Sequence, residues 1–296
     1  MKQLASLVFF GSGPVGAASL SALDGAGFEI EAVITKPKPA HHRGEFPVLE
    51  LADKLSLKTF TPKNKDELVK LFQKNEFYSP LGLVVDYGFI IPRSVIRQFP
   101  LGIINSHFSL LPQWRGADPI SFAILSGQQL TGVSIMKIDS GLDTGSLLAQ
   151  ADYKMEPGEN VQTLTEHLID LSNQTLAKVL PLYIKGELVP VPQDGAQKPS
   201  FSRRLTKADG IIDWGKPAEV IEREVRAYLG WPKSQAKIFG HDVIITKARL
   251  AAGLNDGALV MKCKPGYLEI EELTAPSGRK MSGADFTRGY KKPGSS

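Results

Sequence analysis

The sequence predicts an α/β fold in which a mostly parallel sheet carries helices on both faces and is followed by a small β-barrel. The first observation is a βαβ pattern at the start of the chain, where two buried apolar strands (residues 4–11 and 28–35) enclose a helix of small and apolar residues (13–26). The second is a long amphipathic helix over residues 161–185. The third is a series of short strands separated by turn signals, beyond residue 234.

The remaining elements of the first part alternate between helices and buried strands. Helical spacing is present over residues 48–57, 65–73 and 120–126, and strands are predicted over residues 81–85, 102–105 and 131–137. After a Pro-, Gly- and Gln-rich stretch the sequence predicts one helix over 217–228 and strands over 234–239, 243–248, 258–263 and 267–273. We therefore predict a catalytic domain over residues 1–186, a linker over 187–203 and a C-terminal β-barrel domain over 204–296.

Composition and charge narrow the class of protein. The single cysteine, Cys263, excludes an internal disulfide and a cysteine-based zinc site. No apolar run is long enough to span a bilayer and the start is too short for a signal peptide, so we expect a cytoplasmic protein. Residues 197–296 hold 18 Lys and Arg against 11 Asp and Glu, whereas the first 196 residues hold 17 against 20. A basic second part is typical of a polyanion-binding attachment, although a merely solubilising surface would have the same composition.

One predicted strand ends in Asn105-Ser106-His107. Side chains two apart on a strand point to the same side, so an amide and an imidazole that titrates near neutral pH project together. Further along, the loop from Asp139 to Gly145 carries Asp143 between glycines. Because ligands of open α/β sheets bind beyond the carboxyl ends of the strands, we predict a site for acyl-type transfer here. A capping amide, a hydrogen-bonded histidine and a plain turn would produce the same pattern.

The segment Gly11-Ser-Gly-Pro-Val-Gly16 fits a dinucleotide-binding fingerprint, since it follows a strand and opens a helix. The second strand, however, ends in Thr35-Lys36-Pro37, without the carboxylate that would hold the ribose hydroxyls. We therefore predict that no nicotinamide cofactor binds and that the glycines serve the geometry of a tight turn. His41 and His42 have no third ligand near in sequence, so no metal site is predicted.

Two longer motifs resemble the signature of the folate-dependent formyltransferases. One runs Asn105-Ser-His-Phe-Ser-Leu-Leu-Pro-Gln-Trp-Arg-Gly-Ala-Asp-Pro119, and the other runs Gly132-Val-Ser-Ile-Met-Lys-Ile-Asp-Ser-Gly-Leu-Asp-Thr-Gly145. Segments of the second part are similar to the methionyl-tRNA formyltransferases within that superfamily: Ile212-Asp-Trp214, Trp231-Pro232 and Met281-Ser-Gly-Ala-Asp-Phe286. The resemblance covers nearly the whole chain and implies a Rossmann-like formyl-transfer domain, a linker and a small OB-like barrel.

The resemblance also implies roles for individual residues. Matched one by one, the family's catalytic residues fall on Asn105, His107 and Asp143. Its tetrahydrofolate-contacting stretch falls on Ser109, Leu110, Leu111 and Pro112. The basic loop that touches the tRNA acceptor end falls on residues 36–47, with Arg43 as the match to its key arginine. This loop is shorter than the family pattern and lacks a Lys-Lys continuation, and Asp86 stands where we expect a small residue.

The activity implied is transfer of the formyl group of 10-formyltetrahydrofolate to the amino group of methionyl-tRNA, the initiator in translation. No metal is required, and we expect a monomer that binds this tRNA and the folate co-substrate. Two alternatives stay open at this point. One is a formyltransferase that acts on an amino-sugar nucleotide, and the other is a catalytically silent RNA-binding relative. The presence of Asn105, His107 and Asp143 disfavours the second.

Overall fold

The computed structural model describes residues 4–38, 44–255 and 257–291, which form two compact units. The first unit consists of the described parts of Met1–Arg115 together with Leu130–Lys154 and Thr165–Phe201. The second consists of Gly116–Gln129, Met155–Leu164 and the described parts of Ser202–Ser296. Neither unit is continuous in sequence, and the continuous domains predicted over 1–186 and 204–296, with a linker over 187–203, stay a prediction.

The first unit is built on a seven-stranded sheet in the order β3-β2-β1-β4-β5-β7-β8. The first nine strands in chain order are β1 (Leu4–Gly11), β2 (Phe28–Ile34), β3 (Thr59–Phe60), β4 (Leu81–Val85), β5 (Gly102–His107), β6 (Arg115–Gly116), β7 (Leu130–Lys137), β8 (Leu147–Lys154) and β9 (Phe201–Ser202). The five strands β3, β2, β1, β4 and β5 run parallel to one another. Strand β7 is antiparallel to both of its neighbours, β5 and β8. Strands β6 and β9 form a separate small sheet. The predicted, mostly parallel sheet is confirmed.

Helices cover both faces of this sheet, as predicted. They are α1 (Pro14–Gly25), α2 (Pro47–Lys54), α3 (Lys65–Lys74), α4 (Arg93–Ile96) and α6 (Val161–Ile184). Val8 and Phe10 of β1 belong to one core cluster with Leu68 and Phe72 of α3. On the opposite face the Ser106 hydroxyl of β5 lies 2.7 Å from that of Ser172 in α6. The alternation of side chains along each strand therefore separates two packed faces.

The second unit has a five-stranded antiparallel sheet that curls into a half-barrel. Its elements are α5 (Pro119–Ser126), α7 (Ala218–Ala227), β10 (Ser234–Ile238), β11 (His241–Ala251), β12 (Val260–Lys262), β13 (Tyr267–Thr274), β14 (Lys280–Ser282) and α8 (Gly283–Tyr290). Fully buried Phe286 of α8 packs in the core together with Ile221 of α7 and Leu268 of β13. Among the described residues, no helix is both long and apolar enough to cross a membrane.

Candidate active site

Strand β5 presents Asn105 and His107 at its carboxyl end, between parallel β4 and antiparallel β7. Asn105 pairs with Met136 of β7 and His107 with Ser134, so both side chains project from one face of the sheet. His107 is 6% exposed, whereas Asn105 is half-buried. The side-chain amide of Asn105 forms no hydrogen bond with another described residue. Its two N–H groups are therefore free to meet a substrate.

The imidazole of His107 is fixed by the backbone of the following loop. Its Nε2 lies 2.9 Å from the carbonyl oxygen of Trp114, a residue in the left-handed region with φ +56°. A carbonyl only accepts hydrogen bonds, so Nε2 carries the proton. In the neutral ring Nδ1 is then the unprotonated nitrogen. This assignment separates the two nitrogens into an anchor and a basic atom.

Asp143 lies on the Nδ1 side of this ring. Its Oδ2 is 3.8 Å from Nδ1, which is an ion-pair distance and longer than a direct hydrogen bond. Burial lowers the pKa of His107, and the Asp143 carboxylate and the Trp114 carbonyl oppose this by favouring the protonated ring. Burial is the larger effect, so the pKa of His107 lies below its ordinary value. His107 is therefore neutral at pH 7, with a carboxylate placed to stabilise the imidazolium when it forms.

The loop that carries Asp143 is held by its own side chains. The Asp139 carboxylate accepts hydrogen bonds from the Gly141 N–H (2.9 Å) and from the Thr144 hydroxyl (2.7 Å). Asp143 has φ +50°, a conformation that Asp tolerates better than most residues. A Cβ at Gly145 would overlap the carbonyl oxygen of Lys137, so only glycine fits there. The loop from Asp139 to Gly145 thus holds the Asp143 carboxylate in place through its own hydrogen bonds and close packing.

Residues 109–112 form a packed corner directly after the site. The Ser134 hydroxyl donates to the carbonyl of Ser109 (2.6 Å) and accepts from the N–H of Leu111 (3.0 Å). Gln150 of β8 donates to the carbonyl of Leu111 (2.9 Å). The side chains of Ser109, Leu111 and Pro112 are buried, and only Leu110 is half-exposed. The corner therefore offers one apolar side chain to a ligand.

The glycine-rich turn after β1 is filled by the protein itself. A Cβ at Gly13 would overlap the carboxylate of Asp86, and the Ser12 N–H donates to the Asp86 carbonyl (3.0 Å). Cβ atoms at Gly11 and Gly16 would come within 2.8 and 2.9 Å of the carbonyl oxygen of Val85. The glycines allow this close packing of backbone against backbone. The Asp86 carboxylate therefore lies against Gly13, directly before the start of α1.

Sequence reasoning missed two groups that hold the site. One is the carbonyl of Trp114, a backbone atom without a sequence signal. The other is Gln193, whose amide donates to the carbonyls of Asp143 (2.8 Å) and Gly145 (3.0 Å). Arg43, the residue predicted to touch tRNA, lies outside the described residues. Within the described part of the chain, no group of three His, Cys, Asp or Glu residues could hold a metal ion.

Comparisons with known proteins identify the family of the chain. The formyl transferase family model matches residues 5–180, and the model of the formyl transferase C-terminal domain matches residues 204–291. The methionyl-tRNA formyltransferase of Solibacter usitatus is 37% identical, with 96% of each chain covered. That of Chloroflexus aggregans is 35% identical, over 97% of this chain and 98% of the relative.

A solved structure shares the fold at lower identity. The N-formyltransferase of Helicobacter canadensis, in complex with folinic acid and dTDP-3-aminofucose, superposes with a TM-score of 0.70 at 18% identity and covers 94% of this chain and 100% of its own. At that identity the likeness shows the fold alone. The family is shown by the two full-length relatives above 30% identity and by the matching models. The chain belongs to the methionyl-tRNA formyltransferases of the formyl transferase family.

Proposed function

We propose that this protein transfers the formyl group of 10-formyltetrahydrofolate to the free amino group of methionyl-tRNA. The observation that carries the proposal is the pair of His107 and Asp143 beside the unbonded amide of Asn105, at the carboxyl end of β5. The full-length similarity to methionyl-tRNA formyltransferases supports the choice of acceptor. The nucleophile is the neutral form of an amine, and with a pKa near 8 about a tenth of the amine is neutral at pH 7.

Each of the three residues has a separate role in the proposed mechanism. The Asn105 amide donates to the formyl oxygen as it becomes negative, a contribution worth about 3 kcal/mol in comparable oxyanion sites. The Nε2–H of His107 is engaged by Trp114, so the basic Nδ1 takes the proton from the attacking amine and passes it to the leaving nitrogen. Asp143 stabilises the imidazolium in between. The proposal thus gives His107 and Asp143 separate roles, which the sequence alone leaves undivided.

The folate co-substrate binds, in this proposal, along the corner of residues 109–112. The half-exposed side chain of Leu110 supplies the apolar contact, while buried Ser109, Leu111 and Pro112 hold the backbone in place. Leu110→Asp should raise KM for the folate at least about tenfold, because it places a charge on an apolar contact surface. Leu111 is 3% exposed, so a change there tests packing rather than contact.

The tRNA is held mainly by the basic residues beyond residue 196, and Arg43 positions its acceptor end. Phosphate contacts release counterions, so the affinity for methionyl-tRNA should fall steeply with salt. Arg43→Ala should lower kcat as well as affinity, because a contact near the reacting amine orients it. We expect a protein with this function to act in the cytoplasm. We also expect a monomer, for which light scattering should measure a molar mass near the calculated 32.2 kDa.

A direct assay tests the proposal. Purified protein is incubated with 10-formyltetrahydrofolate and either methionyl-tRNA or an amino-sugar nucleotide, with His107→Asn as the matched inactive control. We expect formylation of methionyl-tRNA by the wild type and at most about a hundredth of that rate in the control. Formylation of the sugar alone would move the assignment to that acceptor. Binding of tRNA without any transfer would identify a silent RNA-binding relative.

A further inference from the structure

The segment of residues 191–200, which the sequence predicts to lie within a linker, is bonded to both loops of the active site. Val191 exchanges two backbone hydrogen bonds with Leu147 of β8 (2.7 and 2.8 Å). Near the other end, the Ser200 hydroxyl accepts from the N–H of Trp114 (2.9 Å), and its carbonyl accepts from the N–H of Arg115 (3.0 Å). Trp114 is the residue whose carbonyl fixes His107.

Between these two ends, Gln193 joins the two loops through one side chain. Its Oε1 accepts a hydrogen bond of 2.6 Å from Nη2 of Arg115, next to Trp114. Its Nε2 donates to the carbonyls of Asp143 (2.8 Å) and Gly145 (3.0 Å). A primary amide is the side chain that can accept on one side and donate twice on the other. Gln193 is half-buried and none of these bonds involves a substrate.

We propose that Gln193 is a positioning residue that sets the separation of His107 and Asp143 by tying the Asp143 loop to the Trp114–Arg115 loop. Hydrogen bonds from the Gly141 N–H and the Thr144 hydroxyl to the Asp139 carboxylate brace the Asp143 loop from within. Those bonds fix the shape of the loop, whereas Gln193 fixes its place relative to the imidazole. The segment of residues 191–200 therefore contributes to the geometry of the active site.

The kinetic test rests on the proposed function. Gln193→Glu keeps the acceptor for Arg115 but removes the donors, so an anion faces the carbonyls of Asp143 and Gly145. Gln193→Met keeps the length and removes every bond. Since small misplacements of catalytic groups cost up to about a hundredfold, we expect both to lower kcat ten- to a hundredfold with KM for both substrates within about threefold. Gln197→Ala, an exposed residue of the same segment, is the matched control and should change neither.

A second measurement does not need any activity. The titration of His107 is followed by NMR in protein labelled at histidine, with His107→Asn identifying its signal. Asp143 is the charged group that raises the pKa of His107 among the described residues. Gln193→Met should therefore lower this pKa further, while the thermal midpoint shows that the protein is folded. Gln193→Glu is not used in this measurement, because its own negative charge favours the protonated ring. An unchanged His107 titration in folded Gln193→Met would overturn the inference. Failure of the wild type to formylate methionyl-tRNA would overturn the proposed function alone.

Discussion

Two turns at the same edge of the parallel sheet, after β1 and after β5, have opposite characters. The turn after β1 has the glycine pattern of a ligand site, but Asp86 and the Val85 carbonyl already fill it. The turn after β5 leaves the side-chain amide of Asn105 without a hydrogen bond to another described residue, and Nδ1 of His107 lies 3.8 Å from the Asp143 carboxylate, which is longer than a direct hydrogen bond. Glycine spacing alone therefore reports close packing, and a polar group without an internal partner is the stronger sign of a site.

The largest expected difference between the two turns is in turnover. Asn105→Ala, His107→Ala and Asp143→Ala should each reduce kcat at least about a hundredfold, because each removes a preorganised donor or proton carrier. At the closed turn, Ser12→Ala removes only a 3.2 Å hydrogen bond to the Tyr87 carbonyl and should stay within about threefold of wild type. Single-turnover formylation measures both. Near-normal turnover in any of the first three would take that residue out of the mechanism.

The closed turn should instead matter for stability. A Cβ at Gly16 would come 2.9 Å from the Val85 carbonyl and 3.2 Å from Val48, so Gly16→Ala should cost about 1–3 kcal/mol of unfolding free energy through overpacking. Gly25, at the last position of α1, has nothing within 4 Å of an added Cβ. Gly25→Ala should be neutral or stabilising by up to about 1 kcal/mol. Urea unfolding of the pair measures the contrast, and equal effects would contradict the packing explanation.

Much of this arrangement could be predicted from local sequence, and the rest depends on contacts distant in the chain. The period-2 spacing of Asn105 and His107 sufficed to place them on one face, and buried runs located β1, β2, β4 and β5. Strand β8 was missed because its alternating burial resembles an exposed polar segment. Helix α8 was missed as well, although Ser282 caps it by accepting from the Asp285 N–H. The tie from Gln193 to Asp143 spans fifty residues, so no local pattern could indicate it.

A smaller effect is expected in the pH dependence of stability. The buried His107 has a pKa below its ordinary value of 6.5. Between these two pKa values the histidine is protonated in the unfolded chain and neutral in the native protein. Stability should therefore fall as the pH drops below about 6.5, and the loss should level off below the native pKa. His107→Gln should be less sensitive over this window, since it cannot titrate. Denaturant unfolding between pH 7.5 and pH 5 measures the slope of stability against pH for the wild type and for His107→Gln. These limits lie about one unit or more on either side of the pKa of an ordinary histidine. Parallel slopes would show that another group is responsible.

The smallest expected signal is the binding of a nicotinamide cofactor at the turn after β1, where we expect none. A dinucleotide needs its pyrophosphate at the start of α1 and a carboxylate at the end of β2. Here the Asp86 carboxylate lies over Gly13, and β2 is followed by Thr35 and Lys36. Asp86→Ala should not create binding either, because it removes the obstructing charge without supplying the ribose contact. Titration calorimetry with NADH measures wild type and variant, and micromolar affinity in the wild type would contradict the view that the turn is closed. Micromolar affinity in Asp86→Ala alone would show that the carboxylate at Gly13, and not the missing partner on β2, excludes the cofactor.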